Sequence, residues 1–116
     1  MKSITIISIP VTDQEVAKQF YLNLGFQLLV EAPFDTHKWI QMSLPGQELS
    51  ITLVTWFPEL RPGSIRGFVI TVDSINNEIK ELNEKGIDVG KIEQMPWGKF
   101  ASVKDPDGNT WSLHQK

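Results

Sequence analysis

The apolar positions of this chain change period several times, and each change marks an element. Ile4 to Val11 is a β-branched run that predicts a strand, with Pro10 tolerated near its end. Thr12 or Asp13 then offers an oxygen to the free amides of a helix. Val16, Ala17, Phe20, Tyr21 and Leu24 follow at three- and four-residue spacing, the signature of one apolar helix face. Gly25 closes that helix, because a residue without Cβ readily takes the left-handed conformation. Strands are predicted over Phe26 to Val30, Trp39 to Leu44 and Leu49 to Thr55, with Pro45-Gly46 turning between the last two. Trp56 to Gly63, broken by Pro58 and Pro62, reads as a linker.

The order then restarts. Gly67 to Val72 is β-branched, Asp73 or Ser74 can cap a helix, and Ile75, Ile79 and Leu82 share one face before Gly86. Ile87 to Ile92 is weakly strand-like, Lys99 to Lys104 more clearly so, and Thr110 to His114 is the last predicted strand. Asp105-Pro106-Asp107-Gly108 supplies the turn between these last two. Val11-Thr12-Asp13 overlies Thr71-Val72-Asp73 at an offset of 60 residues, and Gly25-Phe26 overlies Gly86-Ile87 at 61. Two copies at such a period predict an α+β fold of two tandem βαβββ units, 1–61 and 66–116, within one domain spanning 1–116. Neither unit can cover both faces of its sheet alone. The two are therefore expected to pack together, helices outside, with the sheets curving around a small-molecule cleft.

Composition narrows the function. The 116 residues carry a formal net charge of −3 with scattered basic residues, so no electrostatic footprint for nucleic acid or anionic lipid exists. The absence of cysteine removes disulfides, thiolate metal sites and thiol nucleophiles. Pro10 and Asp13 end the first apolar run too early for a secretory leader, and no run approaches the ~18 apolar residues of a membrane span. A cytoplasmic location is the expectation.

Ile6-Ile7-Ser8-Ile9-Pro10-Val11-Thr12-Asp13, leading into Ala17-Lys18-Gln19-Phe20-Tyr21 and Leu24-Gly25-Phe26, resembles the opening of the glyoxalase/bleomycin resistance/extradiol dioxygenase superfamily, the vicinal oxygen chelate fold. Asp105-Pro106-Asp107-Gly108-Asn109 resembles its closing hairpin. Metal-using members hold one divalent ion through His, Gln or Glu on four inward-facing strands. The resemblance puts those four positions at Ile6, Thr52, Gly67 and Ser112. This is not a competent ligand set, since isoleucine and glycine have no side-chain donor, and a one-residue slip does not repair it. The resemblance therefore implies the metal-free branch, with no cofactor, such as the drug-sequestering proteins. It also implies a homodimer, because clefts in this superfamily are commonly completed across two chains. A lyase or dioxygenase whose metal is held by another arrangement is the alternative, and a domain for assembly with another chain is a third reading.

The candidate ligand contacts are Ser8, Trp39, Gln41, Thr52, Trp56, Trp97, Ser112 and His114. Apolar walls with a few polar groups are the chemistry of small-molecule clefts. Trp56 and Trp97 sit among prolines and glycine in predicted loops, where they serve either as lids on the core or as platforms for a planar organic molecule. His114 lies two residues beyond Ser112 on the same strand face and is an acid/base candidate. His37, the other histidine, reads as a surface or strand-end residue. Glu15, Glu78, Glu81 and Glu84 with Lys18, Lys80 and Lys85 read as solvated helix faces. No paired carboxylates, nucleophile elbow or phosphate loop is present.

Overall fold

The structure, a computed structural model, describes residues 1–116. The first unit runs β1 (Ile6–Pro10), α1 (Gln14–Leu24), β2 (Gln27–Phe34), β3 (His37–Ser43) and β4 (Ser50–Val54). The second runs β5 (Phe68–Thr71), α2 (Ile75–Glu84), β6 (Glu93–Met95), β7 (Gly98–Lys104) and β8 (Thr110–Gln115). Each unit is a four-stranded mixed sheet with the same topology, β1-β4-β3-β2 and β5-β8-β7-β6. In each, the first and last strands are parallel and the other neighbours antiparallel. The duplicated βαβββ unit read from the sequence is thus the architecture of an α+β fold.

The helix signals act as expected. Asp13 is the N-cap of α1, its Oδ1 accepting from the amides of Glu15 at 3.0 Å and Val16 at 3.1 Å. Gly25 ends the helix at φ 116°, in the left-handed region. Ser74 rather than Asp73 caps α2. Two elements differ from expectation. The weak strand over Ile87 to Ile92 reduces to a single bridge between Val89 and Val103, and β6 forms later, paired with β7. β2 continues past Val30 to Phe34, with an extra residue between Leu28 and Val30 where the register shifts.

Helix α1 covers one face of the first sheet, where Ile9, Ile40, Met42, Ile51 and Leu53 are buried with Ala17, Tyr21 and Leu24. Helix α2 does the same for the second sheet, where Ile75 and Leu82 are buried with Ala101, Val103 and Leu113. Strand alternation sends the intervening residues to the opposite, uncovered faces. Lys18 departs from the solvated-face reading. Its side chain is 12% exposed and pairs with Glu15 at 2.9 Å and Glu31 at 3.0 Å, tying α1 to β2. Hydrogen bonds from Lys18, then Lys38, hold the Glu31 carboxyl below its usual range.

Candidate functional site

The face of the first sheet opposite α1 carries five of the candidate contacts, of which Thr52 is buried and Ser8, Trp39, Gln41 and Trp56 are half-buried. The register aligns Ser8, Thr52, Gln41 and Val30 in one row across β1, β4, β3 and β2. Ser8 and Thr52 share a hydroxyl–hydroxyl hydrogen bond at 3.2 Å. Trp39 Nε1 donates to Gln41 Oε1 at 3.1 Å, Gln41 Nε2 donates to Ser50 Oγ at 2.8 Å, and Ser50 Oγ donates to the Thr5 carbonyl at 3.1 Å. The indole N–H can only donate and the carbonyl can only accept, so this relay fixes which way the Gln41 amide points. Beside it lies an aromatic group. Trp56 packs on Phe34 at 4.8 Å, on His37 at 5.5 Å and, nearly parallel at 24°, on Trp39 at 6.3 Å. Half of Phe34 remains open to solvent, at 43%.

The uncovered face of the second sheet carries the other three. Val69, Ser112 and Ser102 form the row equivalent to Ser8, Thr52 and Gln41. In the next row Thr71, His114 and Phe100 are aligned, and the His114 ring stacks on Phe100 at 4.5 Å and 16°. His114 Nε2 lies 3.1 Å from the carbonyl of Trp97, the residue at the tip of the β6–β7 hairpin, whose own side chain is 64% exposed. Neither Trp56 nor Trp97 belongs to the buried core.

Ser8, Trp39, Gln41, Thr52 and Trp56 are thus gathered on one sheet, and Trp97, Ser112 and His114 on the other. No hydrogen bond or aromatic contact joins the two groups. None of the three principal clefts of the chain is lined by any of the eight. The units meet instead through a buried polar lock. Tyr21 donates to Asp105 Oδ2 at 2.8 Å and accepts from Trp111 Nε1 at 3.0 Å. Asn109 Nδ2 donates to Asp105 Oδ2 and to the Pro10 carbonyl, both at 2.8 Å. Asn109 Oδ1 accepts from the amides of Gly63 and Ile65, so the linker is fastened to the same loop. Burial, reinforced by the Asp105 carboxylate, pushes the Tyr21 phenol well above its ordinary value.

Residues 3–113 match the Glyoxalase/Bleomycin resistance protein/Dioxygenase superfamily. The chain belongs to this superfamily. It is similar to the crystal structure of TnmS3, an antibiotic binding protein from Streptomyces sp. CB03234, with 39% identity and a TM-score of 0.93. That likeness covers 99% of this chain and 96% of the other. A glyoxalase/bleomycin resistance protein from the same organism is 40% identical with a TM-score of 0.85, covering 97% of this chain and all of that one. The uncharacterized protein YwkD of Bacillus subtilis (strain 168) is 31% identical over 126 residues, covering all of this chain and 98% of its own.

The superfamily includes metal-dependent enzymes, so the fit of the residues to a metal matters. Ile6 opens β1, Thr52 lies in β4 with its hydroxyl bonded to Ser8, Gly67 precedes β5, and Ser112 lies in β8. Alkyl, hydrogen and neutral hydroxyl groups do not make a divalent-ion site. No group of three or more His, Asp or Glu is close enough to form one elsewhere. The residues of this superfamily member do not fit the metal.

Two features of the site escaped the sequence reading. His37, expected at the surface or at a strand end, is the first residue of β3, but nothing local announces its contacts: its Nδ1 is 2.6 Å from Thr55 Oγ1 and its ring packs on Trp56. Asp105-Pro106-Asp107-Gly108 is the turn and closing hairpin the sequence indicates, and beyond that Asp105 is 4% exposed and accepts four hydrogen bonds. A single buried carboxylate has no signature in local sequence, because its partners Tyr21 and Asn109 are brought to it by the fold.

Proposed function

We propose that this protein binds a small, uncharged, planar organic molecule without a metal, between the polar-aromatic face of one sheet and that of another. The observation that carries this reading is the aromatic group around the half-buried Trp56, open to solvent at Phe34 and Phe57 and set beside the pre-oriented Gln41 amide and the Ser8–Thr52 pair. Aromatic surface gives affinity, and a few fixed polar atoms give orientation. The likeness to TnmS3, an antibiotic binding protein, supports the same class of ligand.

Within one chain the Trp56 face and the Trp97 face are not joined, so the complete cleft is assigned to a two-fold dimer. In it the first sheet of one protomer faces the second sheet of its partner. The exposed apolar residues Leu28, Leu29 and Val30 on edge strand β2, and Val69 and Met95 on the second sheet, support this assembly.

Binding is tested with acridone, a neutral planar fluorophore, and the Trp56→Ala and Trp97→Ala variants. Removing a stacking partner is worth about 0.5–1.5 kcal/mol, so each variant is expected to weaken binding several-fold with unchanged far-ultraviolet circular dichroism. Equal affinity in both variants, or no binding by the wild type, overturns the reading.

A further inference from the structure

The chain has two histidines, and both touch a segment that carries a loop tryptophan, half-buried at Trp56 and exposed at Trp97. We propose that His37 and His114 are positioning residues that hold Trp56 and Trp97 in their binding geometry, one in each half of the cleft. This rests on the binding function proposed above but extends it to residues that need not touch the ligand.

His37 stands at the start of β3. Its Nδ1 bonds Thr55 Oγ1 at 2.6 Å, and Thr55 directly precedes Trp56. The imidazole also packs against the Trp56 ring at 5.5 Å and 51°. One side chain therefore fixes both the backbone before the tryptophan and the plane of its indole. With no regular structure at Trp56, few backbone hydrogen bonds do this instead.

His114 works on the other hairpin from the neighbouring strand. A carbonyl only accepts, so in the contact with Trp97 O at 3.1 Å the His114 Nε2 is the donor. Nδ1 faces the Thr71 hydroxyl at 3.5 Å, and Phe100 stacks beneath the ring. The Nε2 donor contact and the stacking on Phe100 together make a holder of this ring. Gly98 is a second, independent sign that the approach is built in. Its φ is 136°, and a Cβ there would meet His114 Nε2 at 2.8 Å and collide with the Gln115 carbonyl. Only glycine lets the turn bearing Trp97 close onto the histidine.

The test uses the full chain labelled with 5-fluorotryptophan, its four fluorine resonances assigned by single Trp→Phe variants. His114→Phe keeps a ring on Phe100 but removes the donor, and is expected to shift or broaden the Trp97 resonance and leave Trp56 unchanged. His37→Phe is expected to do the reverse. Thr55→Val, which removes only the hydroxyl partner, should reproduce the His37→Phe spectrum and serves if that variant does not fold. His114→Gln places an amide N–H where Nε2 was and is expected to restore the Trp97 resonance; it likewise serves if His114→Phe does not fold. Acridone binding should weaken about two- to tenfold in the Phe variants and recover in His114→Gln. The spectra need no ligand. Unmoved tryptophan resonances in the histidine variants overturn this inference, whereas absence of acridone binding by the wild type overturns only the binding function.

Discussion

Tyr21 is the one residue whose chemistry and packing are inseparable. Its ring is fully buried and meets Phe20, Phe26 and Trp111 edge-on, while its hydroxyl both donates to Asp105 and accepts from Trp111. Ionising it would place a buried anion against the Asp105 carboxylate, so the folded protein keeps the proton well above the phenol's ordinary pH range. The sign for stability follows. Below about pH 10 both states hold the proton and stability is unaffected by this group. As pH rises further, the unfolded chain releases the proton first, and stability falls. The chain has one tyrosine, which makes the phenolate absorbance unambiguous. In an alkaline titration the phenolate is expected to appear together with loss of circular dichroism; a phenolate titrating near pH 10 in a folded protein would contradict the assigned burial. The sequence marked Tyr21 only as one position of an apolar helix face. Its polar role depends on Asp105, 84 residues away, and no local periodicity carries such a pairing.

At the scale of elements, the segment Asp105 to Asn109 fastens β1, the linker and β8 together. Asn109 is fully buried and uses both ends of its amide across three segments, at Pro10, Asp105, and Gly63 with Ile65. Asn109→Ala would orphan these groups, including part of a buried carboxylate's shell. Each such loss costs about 1–3 kcal/mol, so destabilisation of about 3 kcal/mol or more is expected in urea unfolding. A change under about 1 kcal/mol would mean that water or the backbone replaces the amide readily. The elements themselves were largely legible, because strand alternation, the Asp13 cap and Gly25 are local signals. The difference at β6 has a physical cause. Glu93-Gln94-Met95 has little strand preference of its own and is a strand through its pairing with β7. Ile87 and Val89 look β-like because they pack against the core, and Gly90 bonds Ser102 without continuing the ladder.

For the whole molecule, the decisive feature is that the two candidate faces point away from the shared core. The polar lock at Tyr21, Asp105 and Asn109 joins the units by their covered sides, while Leu29 at 51%, Val69 at 52% and Trp97 at 64% exposure remain in solvent. Alternation in the sequence puts Ser8, Gln41, Thr52 and Ser112 on one strand face each and Trp56 and Trp97 in loops, but does not divide them between two sheets, since alternation gives a face and not what stands opposite it. Apolar side chains this open on an edge strand and on both sheet faces favour association, and a closed two-fold dimer satisfies both faces at once. Light scattering at tens of micromolar protein is therefore expected to give twice the 13.2 kDa of one chain. Leu29 is the extra residue at the irregularity in β2, unpaired across the sheet, so a charge there disturbs neither the ladder nor the core. Leu29→Glu is expected to shift the protein toward monomer, retain its circular dichroism and weaken acridone binding, because the Trp56 face would lose the partner face opposite it. A wild-type monomer at that concentration would refute the two-chain cleft, and binding unchanged in a monomeric Leu29→Glu would place the whole site within one protomer.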